Sequence, residues 1–327
     1  MEPLQELLES ARLAKAQTCA NLALFPVLAP PQAGPQWLVM AQALEQELVT
    51  ITEVNDSGSV PELLLQNRAG RPVLAIEGEE LVGAKQNRVV NTTILAPAGE
   101  ELVIPVSCVE EGRWAYRGQG FASQRRVMSP SLRAEHSRHL REGLAGGRGY
   151  ASDQAGIWDG LRAKAGRMDA ASETGAMADL FQRHQSPLQE YAAAFRAVDC
   201  QVGAVLAVNG HIAGLECFGS AETLAAYLPG LVQSYALDAL DWREQHCGRK
   251  ASAREAEGLL GAVRAARRNA YPSPGLGRSL RLDAGGLAGA ALVWEGRVVH
   301  LSALRLAGDG AGFKAGGVQR FSRRRVH

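Results

Sequence analysis

The sequence predicts an α+β protein: an antiparallel, β-rich N-terminal half of sandwich or barrel type, a helical insert, and a C-terminal unit of β-hairpin and helix. Three observations predict it. Between Pro61 and Cys108 the runs ELLLQN, PVLAIE, RVVNTTIL and EELVIPVSC alternate with turn signals at roughly ten-residue spacing, which suits an antiparallel sandwich or barrel. The next stretch is rich in Arg, Ser, Gly and Ala, poor in large apolar residues, and helical in pattern. Beyond Leu188, QVGAVLAV and HIAGLECF flank Asn209-Gly210, a strong hairpin signal because Asn-Gly fits a type I′ turn. The expected organisation is a β-rich half at 1–125, a helical insert at 126–187, and an α+β half at 188–307 packed on the first. A Gly- and Arg-rich tail at 308–327 is expected to be disordered.

Taken in order, MEPLQELLESARLAKAQ is an amphipathic helix with Leu4, Leu7, Leu8 and Ala11 on one face. CANLALFPVLAP reads as a strand pair or strand and turn, residues 37–48 as a helix, and VTITEV as a short strand. Asn55-Asp56-Ser57-Gly58 is turn chemistry. In EELVIPVSCVE, strand parity puts Ile104, Val106, Cys108 and Glu110 on one face. Pro105 cannot donate to a ladder, so that strand should lie at an edge or carry a bulge. RVVNTTIL reads as one strand, with Arg88, Val90, Thr92 and Ile94 on one face and Asn91 on the other.

In the insert, SLRAEHSRHLREGL reads as a solvated basic helix and AGIWDGLRAKAGRM as a second helix, with GGRGYASD between them, forming a mobile cover more than a core. LQEYAAAFRAV is helical. Ser220 caps a helix whose buried stripe is Leu224, Leu228, Leu231 and Tyr235. Ser252 with Glu255 is a capping-box pattern opening a helix to about Arg268. SLRLD, GAALVWEG and RVVHLSAL supply the last strands, with a turn at Glu295-Gly296.

Composition excludes several classes. Hydrophobic residues at 46% with 21% charged describe a globular chain rather than a disordered or fibrous one. A net charge of +1 provides no global field for nucleic acid or a membrane surface. No apolar run reaches the length of about 18 residues needed to span a bilayer. The acidic start does not read as a signal peptide, so a cytoplasmic location is expected. Five cysteines (Cys19, Cys108, Cys200, Cys217, Cys247) are odd in number and scattered, which indicates neither a disulfide framework nor a zinc site.

Chemistry concentrates between Gly78 and Trp114. There Glu79, Glu80, Lys85, Gln86, Asn87, Arg88, Asn91, Cys108, Glu110, Glu111 and Arg113 crowd among core-forming runs, and buried polar groups are costly unless paired. Gly78 to Gly83 has phosphate-loop spacing, but Ala84 precedes Lys85 and no Ser or Thr follows it, so the magnesium-binding hydroxyl is missing. Lys85, Arg88 and Arg113 could form an anion pocket or a surface basic cluster. Glu77, Glu79, Glu80, Glu110 and Glu111 could hold an acid/base pair, ligate a divalent cation such as magnesium, or be solvated turn residues. Cys108 is a nucleophile only if a neighbouring cation lowers its pKa, and otherwise a small buried hydrophobe. His136, His139 and Glu142 recur at three-residue intervals like a ligand stripe, without a strong ligand pair such as HExxH. Glu216, among apolar neighbours, needs a partner; an arginine from the first half would bring it into the site.

Gly78-Glu79-Glu80, Gly83-Ala84-Lys85-Gln86-Asn87-Arg88, Asn91, Ile104-Pro105-Val106-Ser107-Cys108-Val109-Glu110 and Gly112-Arg113-Trp114 resemble a bacterial and fungal domain family. It is named for its association with ADP-ribosylglycohydrolases and rhodanese/phosphatase-superfamily proteins. Thr174-Gly175-Ala176-Met177, Gln201-Val202-Gly203 and Ser234 to Asp238 also resemble it, so the likeness runs from about Phe25 to Asp241. It implies a link to ADP-ribose or nucleotide metabolism and transfers no catalytic residue.

The residues and the resemblance together predict an enzyme acting on a phosphorylated, ribose-containing small molecule. Lys85, Arg88 and Arg113 would hold phosphate, and Glu79, Glu80 or Glu110 would serve as acid/base. Cys108 would be nucleophile or packing, and Gln86, Asn87, Asn91 and Glu216 would contact the ligand. The alternative is a non-catalytic module that binds such a ligand or docks a partner enzyme. A third reading is a polar core that only specifies the fold.

Overall fold

A computed structural model describes residues 2–30, 37–55, 59 and 61–306. The 308–327 tail, and Asp56 to Gly58 of the first predicted turn, lie outside the described residues. The chain opens with α1 (Pro3–Ser10), β1 (Arg12–Leu13), β2 (Gln17–Cys19), β3 (Leu22–Leu28), β4 (Leu38–Val39), α2 (Met40–Glu45) and β5 (Val49–Glu53). The strand-rich stretch follows as β6 (Glu62–Asn67), β7 (Val73–Ala75), β8 (Glu79–Ala84), β9 (Arg88–Val90), β10 (Ile94–Ala96), β11 (Glu101–Cys108) and β12 (Arg117–Val127). Four helices come next: α3 (Pro130–Ala145), α4 (Gln154–Arg167), α5 (Met177–Arg183) and α6 (Gln185–Ala194). The chain continues through β13 (Gln201–Val208), β14 (His211–Phe218), α7 (Ala221–Asp241), α8 (Ala253–Ala265), β15 (Arg267–Pro272), β16 (Arg278–Ala284), β17 (Leu287–Trp294) and β18 (Arg297–Arg305).

Two β structures organise these elements. The strands β11-β6-β5-β12-β8-β9 close into a barrel, filled by Ile51, Leu63, Leu65, Leu81, Val90, Ile104, Val106 and Phe121. A nine-stranded antiparallel sheet runs β1-β3-β13-β14-β18-β17-β16-β15, with β2 also on β3. The first strands of the chain therefore belong to the same sheet as the last ones. One face of that sheet carries α1 and α8 over Val205, Leu215, Cys217 and Leu301. The other packs α3 and α7 over Leu206, Phe218 and Leu304, and this second core reaches the outside of the barrel through Val89 and Val127. A small third sheet, β10-β7-β4, holds the parallel pair β4–β7. No described helix is long and apolar enough to cross a membrane.

Local chemistry explains the sharpest boundaries. Asn209 and Gly210 both take positive φ (51° and 77°), as a type I′ turn requires, and they join β13 to β14. Glu295 and Gly296 do the same between β17 and β18. Ser220 accepts from the Thr223 N–H at the start of α7, and Ser252 with Glu255 forms the full capping box of α8.

Other expectations are corrected. Residues 37–48 give β4 and a short α2 rather than one helix. RVVNTTIL breaks after Val90, because Asn91, Thr92 and Thr93 bond to partners in distant elements. Pro105 lies neither at a sheet edge nor at a recorded bulge. The ladder from β11 to β6 ends at Pro105 and the ladder to β9 begins at Val106, so its missing N–H falls where the strand changes partners. Arg117–Val127 is an eleven-residue strand that closes the barrel, with register shifts where it passes β8. The basic helix α3 is not solvated: Arg133, His136, Ser137 and Leu140 are buried against β17 and β18.

Candidate functional site

Strand parity sorts the residues of Gly78–Trp114. Arg88 pairs across β9 with Leu81 on one side and Cys108 on the other, so it joins the inward row of the barrel. Glu80 lies on the opposite face of β8, with Val82. The predicted site residues consequently occupy four neighbourhoods rather than one pocket.

At the barrel mouth, Arg88 is fully buried and donates through Nη1 to Gln86 Oε1 at 3.0 Å. Cys108 Sγ lies 3.1 Å from the same oxygen and 3.1 Å from the Glu110 carbonyl oxygen. Burial pushes the Cys108 thiol up, outweighing the nearby Arg88, so the thiolate a nucleophile needs is disfavoured. Its backbone is pinned by Gln154, whose side chain bonds both the Cys108 N–H and its carbonyl. Lys85 sits under two aromatic rings, 5.4 Å from Trp114 and 5.0 Å from Tyr116.

Next to it stands a clamp. Arg113 donates to the carbonyls of Gly83, Ala84 and Ala115, to Asn87 Oδ1 at 3.1 Å and to Glu110 Oε2 at 2.7 Å. Glu110 also accepts from the Asn87 N–H and from Thr174 Oγ1 at 3.0 Å. Burial would raise the Glu110 carboxyl, but Arg113, the Asn87 N–H and Thr174 together hold it below the usual glutamate value. Arg113 and Glu110 are thereby committed to fixing the β8–β9 turn.

The third neighbourhood is a cleft of about 510 Å³ between the outer wall of β8 and β12 and the segment running into α5. Val82, Asn87, Glu110, Arg117, Gln124, Arg126, Thr174 and Asp179 line it. Glu80 sits behind this wall, fully buried, with Oε2 at 3.4 Å from Arg126 Nη1 and Oε1 without a hydrogen-bond partner. Desolvation raises its pKa from 4.5 to about 7; Arg126 opposes this, and the charges of Glu110 and Asp179 add to it. Glu79 is also raised to about 7 by burial, but it faces elsewhere, accepting from Ser123 and Tyr227.

The fourth lies between α3 and the large sheet. Glu216 finds its partner there in the helical insert rather than in the first half: Arg133, fully buried, pairs with it, beside Tyr235 and His300. Asn91 accepts from Ser107 at 2.6 Å and from His136 at 3.3 Å, and Arg281 pairs with Glu77 at 3.0 Å. Asn91 and Glu216 are thus placed in a buried network apart from the cleft. His136 is turned inward, with burial holding its imidazole down at about 4, while Glu142 pairs with Arg138, so the spaced His136, His139 and Glu142 make no ligand stripe. Among the described residues no three His, Cys, Asp or Glu side chains are grouped to hold a metal ion.

Sequence reasoning missed Arg117, Arg126, Thr174 and Asp179. Arg126 went unmarked because its strand, β12, was not recognised. Arg281 was hidden by alternation: between Leu280 and Leu282 it reads as solvent-facing, yet that face packs under α3.

Fold and site together define an α+β protein that carries a charged cleft on the outer wall of a closed barrel. The chain belongs to the ARG and Rhodanese-Phosphatase-superfamily-associated Protein domain family (ARPP-1), which matches residues 10–304. The match extends past Asp241 to take in the last hairpins, beyond the reach of the sequence resemblance. The family name links it to proteins associated with ADP-ribosylglycohydrolases, rhodaneses and phosphatases. No curated protein and no solved structure matches the chain.

Proposed function

We propose that the cleft binds a phosphorylated, ribose-containing small molecule, a nucleotide or an ADP-ribose-like compound, and that Glu80 is its acid/base group. The observation that carries this reading is Glu80 itself: a buried carboxyl held near pH 7 with one free oxygen, beside an arginine that reaches the cleft. A group titrating near neutrality is suited to take a proton from an attacking water or to give one to a departing oxygen. Arg117 and Arg126 supply the donors a phosphate needs, and Gln124 and Thr174 offer partners for hydroxyls. Arg113 and Glu110 are positioning residues that hold Asn87 at the cleft.

The test is calorimetric titration with ADP-ribose, ADP and ribose 5-phosphate, followed by turnover assays. Arg126→Gln should weaken binding by about tenfold or more, the order of one charge-assisted contact. Glu80→Gln should keep binding and lose turnover. Absence of binding by all three ligands overturns the proposal. One observation favours a second reading, a non-catalytic binding module. Both oxygens of Glu110 are occupied, which removes it as a second acid/base group beside Glu80. Binding without turnover would select that reading.

A further inference from the structure

Arg88 presents an unsolved electrostatic problem at the barrel mouth. It is among the largest fully buried side chains, yet its Nε and Nη2 have no acceptor, and no carboxylate among the described residues forms an ion pair with it. Taking one partner away from a buried charge is severely destabilising, so an uncompensated guanidinium points to a missing anion. The Cys108 thiol and the buried carboxyl of Glu53 both act on Arg88 electrostatically; Glu53 Oε1 accepts the Lys85 N–H at 3.3 Å and its Oε2 has no partner. Trp114 covers the arginine, its ring 5.7 Å from the guanidinium carbon, and is itself half exposed at 49%.

We propose that the barrel mouth is a second anion site, selective for a protonated phosphate group. Two free guanidinium N–H groups match two phosphate oxygens. The free oxygen of Glu53 accepts the P–OH proton. A carboxylate acceptor at this position sets the specificity. It welcomes an oxyanion that still carries a proton and repels one that does not, so phosphate fits and sulfate, fully ionised at neutral pH, is refused. Trp114 is the movable cover, held in place by contacts with Lys85 and Arg88 rather than by burial. The site is distinct from the cleft. It faces into the barrel, and its donors belong to Arg88 rather than to Arg117 and Arg126.

The experiment uses the full chain in a chloride buffer at fixed ionic strength, titrated with inorganic phosphate and, separately, with sulfate. Tryptophan fluorescence and Tm are read together. Wild type should give a saturable response to phosphate and respond to sulfate at least about tenfold more weakly, as expected when a site loses a hydrogen-bonded proton. Glu53→Gln should narrow that gap to within about threefold, because an amide can donate to sulfate. Trp114→Phe should lose the fluorescence response while keeping the Tm rise. Arg88→Gln should lose both.

A wild-type titration without saturation below about 20 mM overturns the proposal whether or not any variant folds. Equal affinity for phosphate and sulfate overturns it too. Arg88→Gln, which lies outside the cleft, should leave the calorimetric titration with ADP-ribose unchanged, so failure of the cleft reading and failure of this one are told apart. Ribose 5-phosphate displacing the bound ion would assign the site to a phosphate carried on a sugar; no displacement would assign it to the free ion.

Discussion

Replacing Glu80 by glutamine removes an ionisable proton and little else, which makes it a direct probe of the cost of burying this carboxyl. The folded-state pKa of Glu80 is raised from 4.5 to about 7, so the folded protein holds the proton more tightly than the unfolded chain does. Below pH 4.5 both states are protonated and nothing is lost. As pH rises through 7 the folded protein must ionise a buried group, and at ~1.4 kcal/mol per pKa unit the accumulated loss is about 3 kcal/mol. Glutamine escapes that loss. The variant should therefore exceed wild type by about 3 kcal/mol at pH 8 and by under about 1 kcal/mol at pH 5. For a chain of 327 residues that is a Tm gap of about 4 °C at pH 8, shrinking on acidification. Differential scanning calorimetry of both proteins at pH 5, 6, 7 and 8 reads it directly. A Tm difference that stays flat across that range would refute the reasoning, because it would mean that Glu80 titrates alike in both states. The same substitution that stabilises the fold should abolish turnover, if turnover exists, so stability and activity would part company at a single residue.

Glu216→Gln should cost about 3–5 kcal/mol by leaving Arg133 buried without its carboxylate, whereas replacing both residues with apolar ones of similar size should cost much less; urea denaturation of the three variants compares them. His136, held down at about 4, should stay neutral at pH 5.5 in the NMR spectrum of its ring nitrogens. Its depressed pKa gives a contribution intact above pH 6.5 and lost as pH falls toward 4, so titration of His136 near 6.5 would contradict its burial. Two helical glycines should respond oppositely to alanine. Gly258 in α8 has open space around it and should gain about 1 kcal/mol from helix propensity. Gly230 in α7 would set its new carbon 2.2 Å from the Arg125 carbonyl oxygen and should lose stability, as thermal melts of the two variants would register.

Hairpins and caps were legible because their signals are local. Asn209-Gly210, Ser220 and Ser252 each specify their own geometry within four residues, and each adopts it. β12 was not legible, since RGQGFASQRRV lacks clean alternation: its outer face lines a polar cleft and one of its two glycines, Gly120, lies close to neighbouring backbone. At Gly120 an added carbon would meet the Ile51 carbonyl oxygen at 3.3 Å. The density of charge near Gly78–Trp114 was visible, but its division was not. Parity says that Glu80 and Arg88 face apart only once the register of β8 against β9 is known. Arg133 and Arg281 escaped notice for a related reason. Arginine on an amphipathic element reads as solvent-facing, and only tertiary packing reveals that α3 and the sheet turn these faces toward each other.

The closed barrel has no free edge, and the three-stranded sheet ends in strands of two and three residues, β4 and β10, so among the described strands exposure to unwanted strand addition rests mainly on the large sheet. At one border, β1 is only two residues long. At the other, β15 carries Arg267 and Arg268 at its start and ends in Pro272, with charge and a missing donor along the free rim. Such borders discourage copies of the chain from joining edge to edge. Self-association through backbone pairing would thus be poorly served at either border, leaving side-chain surfaces as the natural meeting ground for any partner.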